Sequence, residues 1–202
     1  MRVARRMLAH ELRALASLGY WVLGRRHGVG PGQVAIPYHA GGSITLWMFL
    51  FAIVVEGVAL ELWLGWPILT VAHVYFVLAN LGMIAAARSR PHVVGEHEVR
   101  LRQGAAFDLR VPRELIVSAR AASRIHDSGF VTLAEGRLEL VVDSRTNLVL
   151  ELSEPVTVVR PLGRTGEASS IRVFADDPRE FLRTLSIPAP PARHGSDRRE
   201  KS

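Results

Sequence analysis

Two apolar runs, residues 44–64 and 67–87, constrain this chain more than any other feature, and only Gly65 and Trp66 separate them. The second run carries no formal charge before Arg88, and its strongest polar interruptions are His73 and Asn80. A helix needs about 20 apolar residues to cross the hydrocarbon core of a bilayer. Two such runs joined by so tight a turn predict an antiparallel transmembrane hairpin over residues 44–88, with the chain entering and leaving on one side. A buried helical pair in a soluble protein is the competing reading, and it is disfavoured because soluble core runs are usually shorter than the spanning length. The hydrophobic share of 49% would by itself suit a soluble protein; the clustering of those residues decides the class.

Charge predicts the orientation. Arg2, Arg5, Arg6, Arg13, Arg25 and Arg26 precede the hairpin, and Arg88, Arg90, Arg100 and Arg102 follow it. The connecting stretch from Glu61 to Pro67 has neither Lys nor Arg. Cytoplasmic flanks are enriched in these residues, so both termini are expected in the cytoplasm and the protein in the plasma membrane. Trp63 and Trp66 would then lie at the outer headgroups, and Tyr38 and Trp47 near the inner ones.

Within the hairpin, Glu56 lies nine positions before Gly65 and His73 eight after it. At about 1.5 Å per residue the two reach similar depth. A central charge costs on the order of 2.5–3.5 kcal/mol, which pairing would reduce, and Gly57 would let the helices approach closely. Glu56, His73 and Asn80 are therefore the intramembrane polar candidates. They could form a clasp that fixes the hairpin or contacts another subunit, or a proton- or ion-linked site.

Residues 1–43 read as an amphipathic helix and a linker. Leu8, Leu12, Leu15, Leu18 and Val22 recur at helical spacing, so the helix would lie in the inner interface or pack on the protein's own cytoplasmic part. Gly28-Val29-Gly30-Pro31-Gly32 has the look of a phosphate loop, but it follows a helix and no Lys-Ser/Thr closes it. It reads as a turn.

After Pro91 the apolar period changes from helical to alternating. Val99 and Leu101 alternate with Arg100 and Arg102, and Phe107, Leu109 and Val111 with Asp108 and Arg110. A short turn at 112–114 leads into 115–119, and further short strands are expected at 130–133, 137–142, 147–152, 156–160 and 171–175, with a mobile loop at 163–170. Asp177, Pro178 and Glu180 start a final helix with an Asp-x-x-Glu capping box. Phe181, Leu182 and Leu185 would close the open end of a small seven-stranded barrel over residues 91–186. The Pro-rich and then charged segment 187–202 is expected to be disordered.

The whole is thus an α+β membrane protein. Arg100-Leu101-Arg102-Gln103-Gly104, Val111-Pro112-Arg113-Glu114-Leu115-Ile116, Val149-Leu150-Glu151-Leu152 with Glu154-Pro155-Val156, and Asp176-Asp177-Pro178-Arg179-Glu180-Phe181 carry a resemblance. With the N-terminal helix and two spans, the chain resembles a group of actinobacterial membrane proteins with a bacterial pleckstrin-homology-like cytoplasmic domain. The near-exclusive use of Arg over Lys, with Lys201 the single lysine, agrees with such a GC-rich source. The resemblance implies a fold whose members mostly bind proteins or lipid headgroups, and it supplies no catalytic residues.

Chemistry is sparse. There is no Cys, which excludes disulfides and thiolate chemistry. His126-Asp127-Ser128 has triad residue types, but consecutive side chains diverge on extended backbone. His92, Glu96, His97 and Glu98 are metal-ligand types, but on a strand Glu96 and Glu98 share a face while His97 points the other way. No catalytic residue, metal or cofactor is expected, and the net charge of +6 suits an anionic leaflet better than nucleic acid. The expected function is a non-enzymatic, membrane-anchored interaction or scaffold module that engages a protein partner or the inner leaflet. Arg88, Arg90, Arg100, Arg102 and Arg110 are its candidate lipid-facing residues. The alternative is a small homo-oligomeric transport or channel-like subunit built on Glu56, His73 and Asn80.

Overall fold

A computed structural model describes residues 2–40, 43–127 and 129–185; the segment expected to be a disordered tail lies outside them. The hairpin forms as the apolar runs require. Helices α2 (Ser43–Leu64) and α3 (Pro67–Ser89) flank a two-residue turn. Gly65 adopts a left-handed φ of 61° that ends α2, and Pro67 occupies the first turn of α3, where its missing N–H costs nothing. Both helices are long and apolar enough to cross a membrane.

Helix α1 (Arg2–Val22) packs along α3, and its Ala14 also meets Ala105 at residues 103–106 of the sheet region. Tyr75 donates to Glu11 at 2.9 Å. A Cβ added at Gly82 would lie 3.2 Å from the Ala14 carbonyl carbon, and Arg88 sits over the Trp21 ring. These contacts advance in the same direction along both helices, so α1 and α3 run parallel. The face of α1 that is buried is the small one, Ala14 and Ser17. Leu8, Leu12 and Leu15 point outward, because small residues allow closer backbone approach than a leucine stripe.

Among the described residues, nine strands form two sheets that do not close on one another, so a closed seven-stranded barrel is not shown. The first sheet has the order β1 (Val34–Ile36), β2 (His92–Val94), β3 (Glu98–Gln103), β4 (Phe107–Pro112). The second contains β5 (Ile116–Ile125), β6 (Val131–Ala134), β7 (Arg137–Leu140), β8 (Arg145–Val159) and β9 (Thr165–Val173), in the order β5-β8-β9-β7-β6. Two expectations fail for local reasons. The linker is not all linker: residues 34–36 pair with β2, and Ile36 is fully buried. Of residues 163–170 only 163 and 164 lie in a turn; from Thr165 onward Ala168 is buried between polar neighbours, so this arm is a strand with one wet face. Strand β8 also runs through Pro155, which is tolerated because the register shifts between Glu151 and Val156.

The two sheets share one core. Val99, Leu101, Leu138, Leu148, Leu150 and Ile171 pack with Ile36, Phe181 and Leu185. Helix α4 (Pro178–Leu185) supplies the last two and contacts β1, β2 and β5, so it bridges the sheets. Its start is capped by Asp177, whose Oδ1 accepts from the N–H groups of Arg179 and Glu180 at 2.9 Å each. Its last carbonyls, of Thr184 and Leu185, are held by the Arg113 guanidinium. Replacing Asp177 by Ala should lower stability by about 0.5–2 kcal/mol, measured by chemical denaturation of the full chain followed by circular dichroism; an unchanged midpoint would show that the cap contributes nothing.

Candidate functional site

The intramembrane candidates do not come together as a pair. The His73 ring lies directly on Gly57, where any Cβ would collide with it. No hydrogen bond or ion pair joins it to Glu56 among the described residues, and Glu56 is exposed on α2. The polar tie between the helices is Thr70, which donates to Glu61 at 2.7 Å near the turn. Asn80 is buried. Asn80 Oδ1 and His73 Nε2 have no partner among the described residues.

Most of the five arginines expected at the lipid serve the junction between helices and sheets. Arg88 lies 5.7 Å from the Trp21 ring centre and 5.9 Å from that of Trp47, so one cation joins all three long helices. Arg90 is buried and donates through Nε to Ser17 Oγ at 3.1 Å. Arg102 alternates to the outer side of its sheet as the pattern demands, but the chain covers it. It is 1% exposed and donates to the carbonyls of His27, Gly28 and Pro91 at 2.7, 3.3 and 3.4 Å. Gly28 has φ 65°, and a Cβ there would come within 2.5 Å of the guanidinium, so this position needs glycine twice over.

Arg100 is committed to Asp108, with a fork of bonds at 2.7 and 2.5 Å. Burial by itself would raise the Asp108 carboxyl; the bonds and charge of Arg100, with Arg102 and Arg110, outweigh it and hold the pKa low. Asp108 is the cross-strand neighbour of Arg102 as expected, but its stronger partner is the diagonal Arg100. Arg110 is exposed and lies 3.5 Å from Glu98.

Tyr38 packs against protein groups. It is buried, stacks at 4.5 Å on His92, and accepts a bond from the Gly104 N–H at 2.7 Å. His92, grouped in the sequence with three acidic or histidine neighbours, turns inward away from them. Its Nδ1 accepts from the Arg102 N–H at 3.1 Å. The ring proton therefore sits on Nε2, which donates to the Phe174 carbonyl at 3.0 Å. The described residues contain no group of three metal-ligand side chains.

A cleft of about 870 Å³ lies where the helices meet the sheets. Its inner wall is apolar, from Leu46 and Phe49 of α2 and Met83 and Ile84 of α3. Its mouth holds Gln103, Asp127, Asp143, Arg160 and Arg164. Gln103 Nε2 donates to the Val141 carbonyl at 2.7 Å. Gln103 Oε1 and Arg160 Nε are buried without partners among the described residues. Sequence reading missed both, since nothing local distinguishes Gln103 or Arg160 from ordinary turn residues.

His126 also lines the cleft. Its Nδ1 lies 3.1 Å from Glu139 and its Nε2 2.8 Å from Thr146 Oγ1. This acid–imidazole–hydroxyl chain is assembled from three different strands' ends, not from the consecutive His126-Asp127-Ser128. Thr146 has no exposed surface, so the hydroxyl offers a substrate no approach, and the chain serves to fix β5 against β8.

Comparison of the chain with protein-family models, curated proteins and solved structures gives no match.

The His92 geometry has a pH consequence. Burial lowers its pKa from 6.5 to about 4; the Phe174 bond opposes this and the Arg102 charge adds to it. Between those values the unfolded chain binds more protons than the folded one, so stability rises with pH. The contribution is complete above about pH 6.5 and is lost as the pH falls toward 4, on the order of 3 kcal/mol. Denaturation of wild type and His92→Gln at pH 7.5 and pH 5 should show a smaller acid loss in the variant; equal losses would refute the assignment.

Proposed function

We propose that the chain is a non-enzymatic, membrane-anchored interaction module. Helices α2 and α3 cross the plasma membrane, and the sheets, with the C-terminus, lie in the cytoplasm and engage a protein partner. The carrying observation is the uncovered apolar surface of the hairpin. Phe51, Leu62 and Ile68 are 71, 84 and 70% exposed, and no residue of the α2 span is buried. A contiguous apolar surface of this kind calls for lipid or a partner. Arg88 at the base and the absence of Lys and Arg at the turn support the orientation. The parallel course of α1 carries the N-terminus toward the turn, so packing lends no support to the N-terminal half of the expected topology. The pleckstrin-homology-like reading of the body rests on the sequence resemblance.

Docking of the β3–β4 face on the leaflet loses support, because Arg102 is buried and Arg100 and Arg110 face carboxylates. Basic character concentrates elsewhere. Burial and then the charges of Arg124 and Arg137 lower the Arg172 pKa, Glu139 opposes them, and Arg120 adds to them. This face of the second sheet suits an acidic protein surface. The chain should stay in the membrane fraction through an alkaline carbonate wash, and reporters fused at residue 202 should be active only in the cytoplasm. Release by carbonate overturns the anchor, and an active external reporter overturns the orientation.

A second reading, a homo-oligomeric transport subunit, is favoured by one observation: Glu56 faces outward where a bare carboxylate is costly, and a second copy could cover it. Purified Glu56→Gln/His73→Ala protein in proteoliposomes should show unchanged ion flux and altered assembly if these residues form a clasp; loss of a wild-type flux would establish transport instead.

A further inference from the structure

We propose that Ile125, Phe130 and Leu162 form an apolar rim that dips into the inner leaflet and stands the sheets on the bilayer surface. The inference rests on the reading of α2 and α3 as membrane-spanning. Ile125 ends β5, Phe130 lies in the β5–β6 connection and Leu162 in the turn between β8 and β9. They are 72, 78 and 61% exposed. Among the described residues beyond Pro91, the other exposed large apolar side chains are Val159, at the end of β8 beside this rim, and Val117. Strand register gathers the rim at one end of the second sheet. Ile125 lies opposite Arg145, which begins β8. Leu148, Val173 and Leu140 form one row across β8, β9 and β7, so the start of β8 and the end of β7 share that end. The Val141 N–H, just past β7, donates to the Phe130 carbonyl at 3.0 Å. The β8–β9 arm brings Leu162 to the same place, since Leu162 and Phe130 line one cleft.

The cleft identifies what covers the rim. Its other wall is Leu46 and Phe49 of α2 and Met83 of α3. Phe49 and Met83 lie about 9 Å along their helices from the ends at Ser43 and Ser89, at about 1.5 Å per residue. With α2 and α3 in the bilayer, those side chains stand in hydrocarbon, and the rim that shares their cleft stands at its inner boundary. Acyl chains that cover the hairpin therefore reach Phe130 and Leu162 as a continuous surface, and exposed apolar side chains grouped in this way call for such cover. Charge at the rim is mixed. Arg145 lies opposite Ile125, and Arg164 lines the cleft together with Asp127 and Asp143. The contact is thus driven by apolar burial, which is non-directional, and carries no headgroup preference. Standing on its strand ends, the second sheet leaves the basic face with Arg120 and Arg137 open to an acidic partner.

The chain has no Cys, so single cysteines in the full chain can each carry a fluorophore in phosphatidylcholine nanodiscs, where both bilayer faces are open to solvent. Labels at Ile125→Cys and at Leu162→Cys should be quenched by lipids with a shallow nitroxide and shielded from aqueous iodide. A label at Val117→Cys, about 25 Å away along β5 at about 3.3 Å per residue, should show the reverse. Adding Phe130→Asp and Leu162→Asp to the Ile125→Cys chain should abolish the nitroxide quenching and open the label to iodide; both replaced side chains are exposed, so the core is left intact. Rim labels as open to iodide as the Val117 label, a Val117 label quenched by the lipid as strongly as the rim, or a rim label unmoved by the two Asp substitutions would overturn the proposal. A label at Phe51→Cys, on the exposed surface of α2, separates the causes. If it is open to iodide, the membrane reading fails; if it is shielded while the rim is open, the rim contact alone fails.

Discussion

The buried guanidinium of Arg102 is the interaction on which the arrangement of this molecule depends. It takes the carbonyls of His27 and Gly28, just past α1, and of Pro91, just past α3. It thereby ties both helical exits to β3. Burial lowers its pKa to about 10, with Arg100 adding and Asp108 opposing, so the cation persists at neutral pH. Removing it would leave three carbonyls unmet next to a glycine backbone shaped around it. Arg90 and Arg88 extend the same logic to α1 and α2. A chain that holds a helical hairpin on a pair of sheets gains more from such multidentate donors than from apolar contact alone, because guanidinium geometry fixes direction as well as distance.

The junction also explains where the cleft lies. The sheets are closed by a shared core and by α4, and the outer part of the hairpin is closed by His73 on Gly57 and Thr70 on Glu61. Between them the chain changes from helix to sheet, and neither packing scheme fills the space. The cleft is the remainder. Its inner wall is apolar because it belongs to the helices, and its mouth is polar because it consists of strand-connecting turns.

Much of this fold was legible in the sequence. The hairpin, its turn at Gly65, the β3–β4 ladder with Val99 opposite Val111 and Leu101 opposite Leu109, the Glu135-Gly136 turn and the Asp177 cap all follow from local pattern. Glu135 and Gly136 both take positive φ, at 51° and 69°, as a tight hairpin turn requires. What misled was the assumption that an alternating charged residue faces solvent. Arg102 alternates correctly, and Asp108 is where pairing predicts it, but alternation cannot reveal that a distant backbone segment lies on top.

The sequence by itself determined which segments are helices and strands, since hydrophobic period and turn chemistry act over a few residues. It also determined that the hairpin must find an apolar medium, because both faces of α2 are apolar. Only the tertiary structure decided what the polar residues do. It took Arg90 and Arg102 from the surface into the junction, set Tyr38 against His92, and brought the linker strand at Ile36 into the core. It parted Glu56 from His73 and buried Gln103 Oε1 and Arg160 Nε without partners among the described residues. Those outcomes depend on contacts between segments tens of residues apart, and side-chain identity alone cannot fix which buried polar group finds a partner and which is left open.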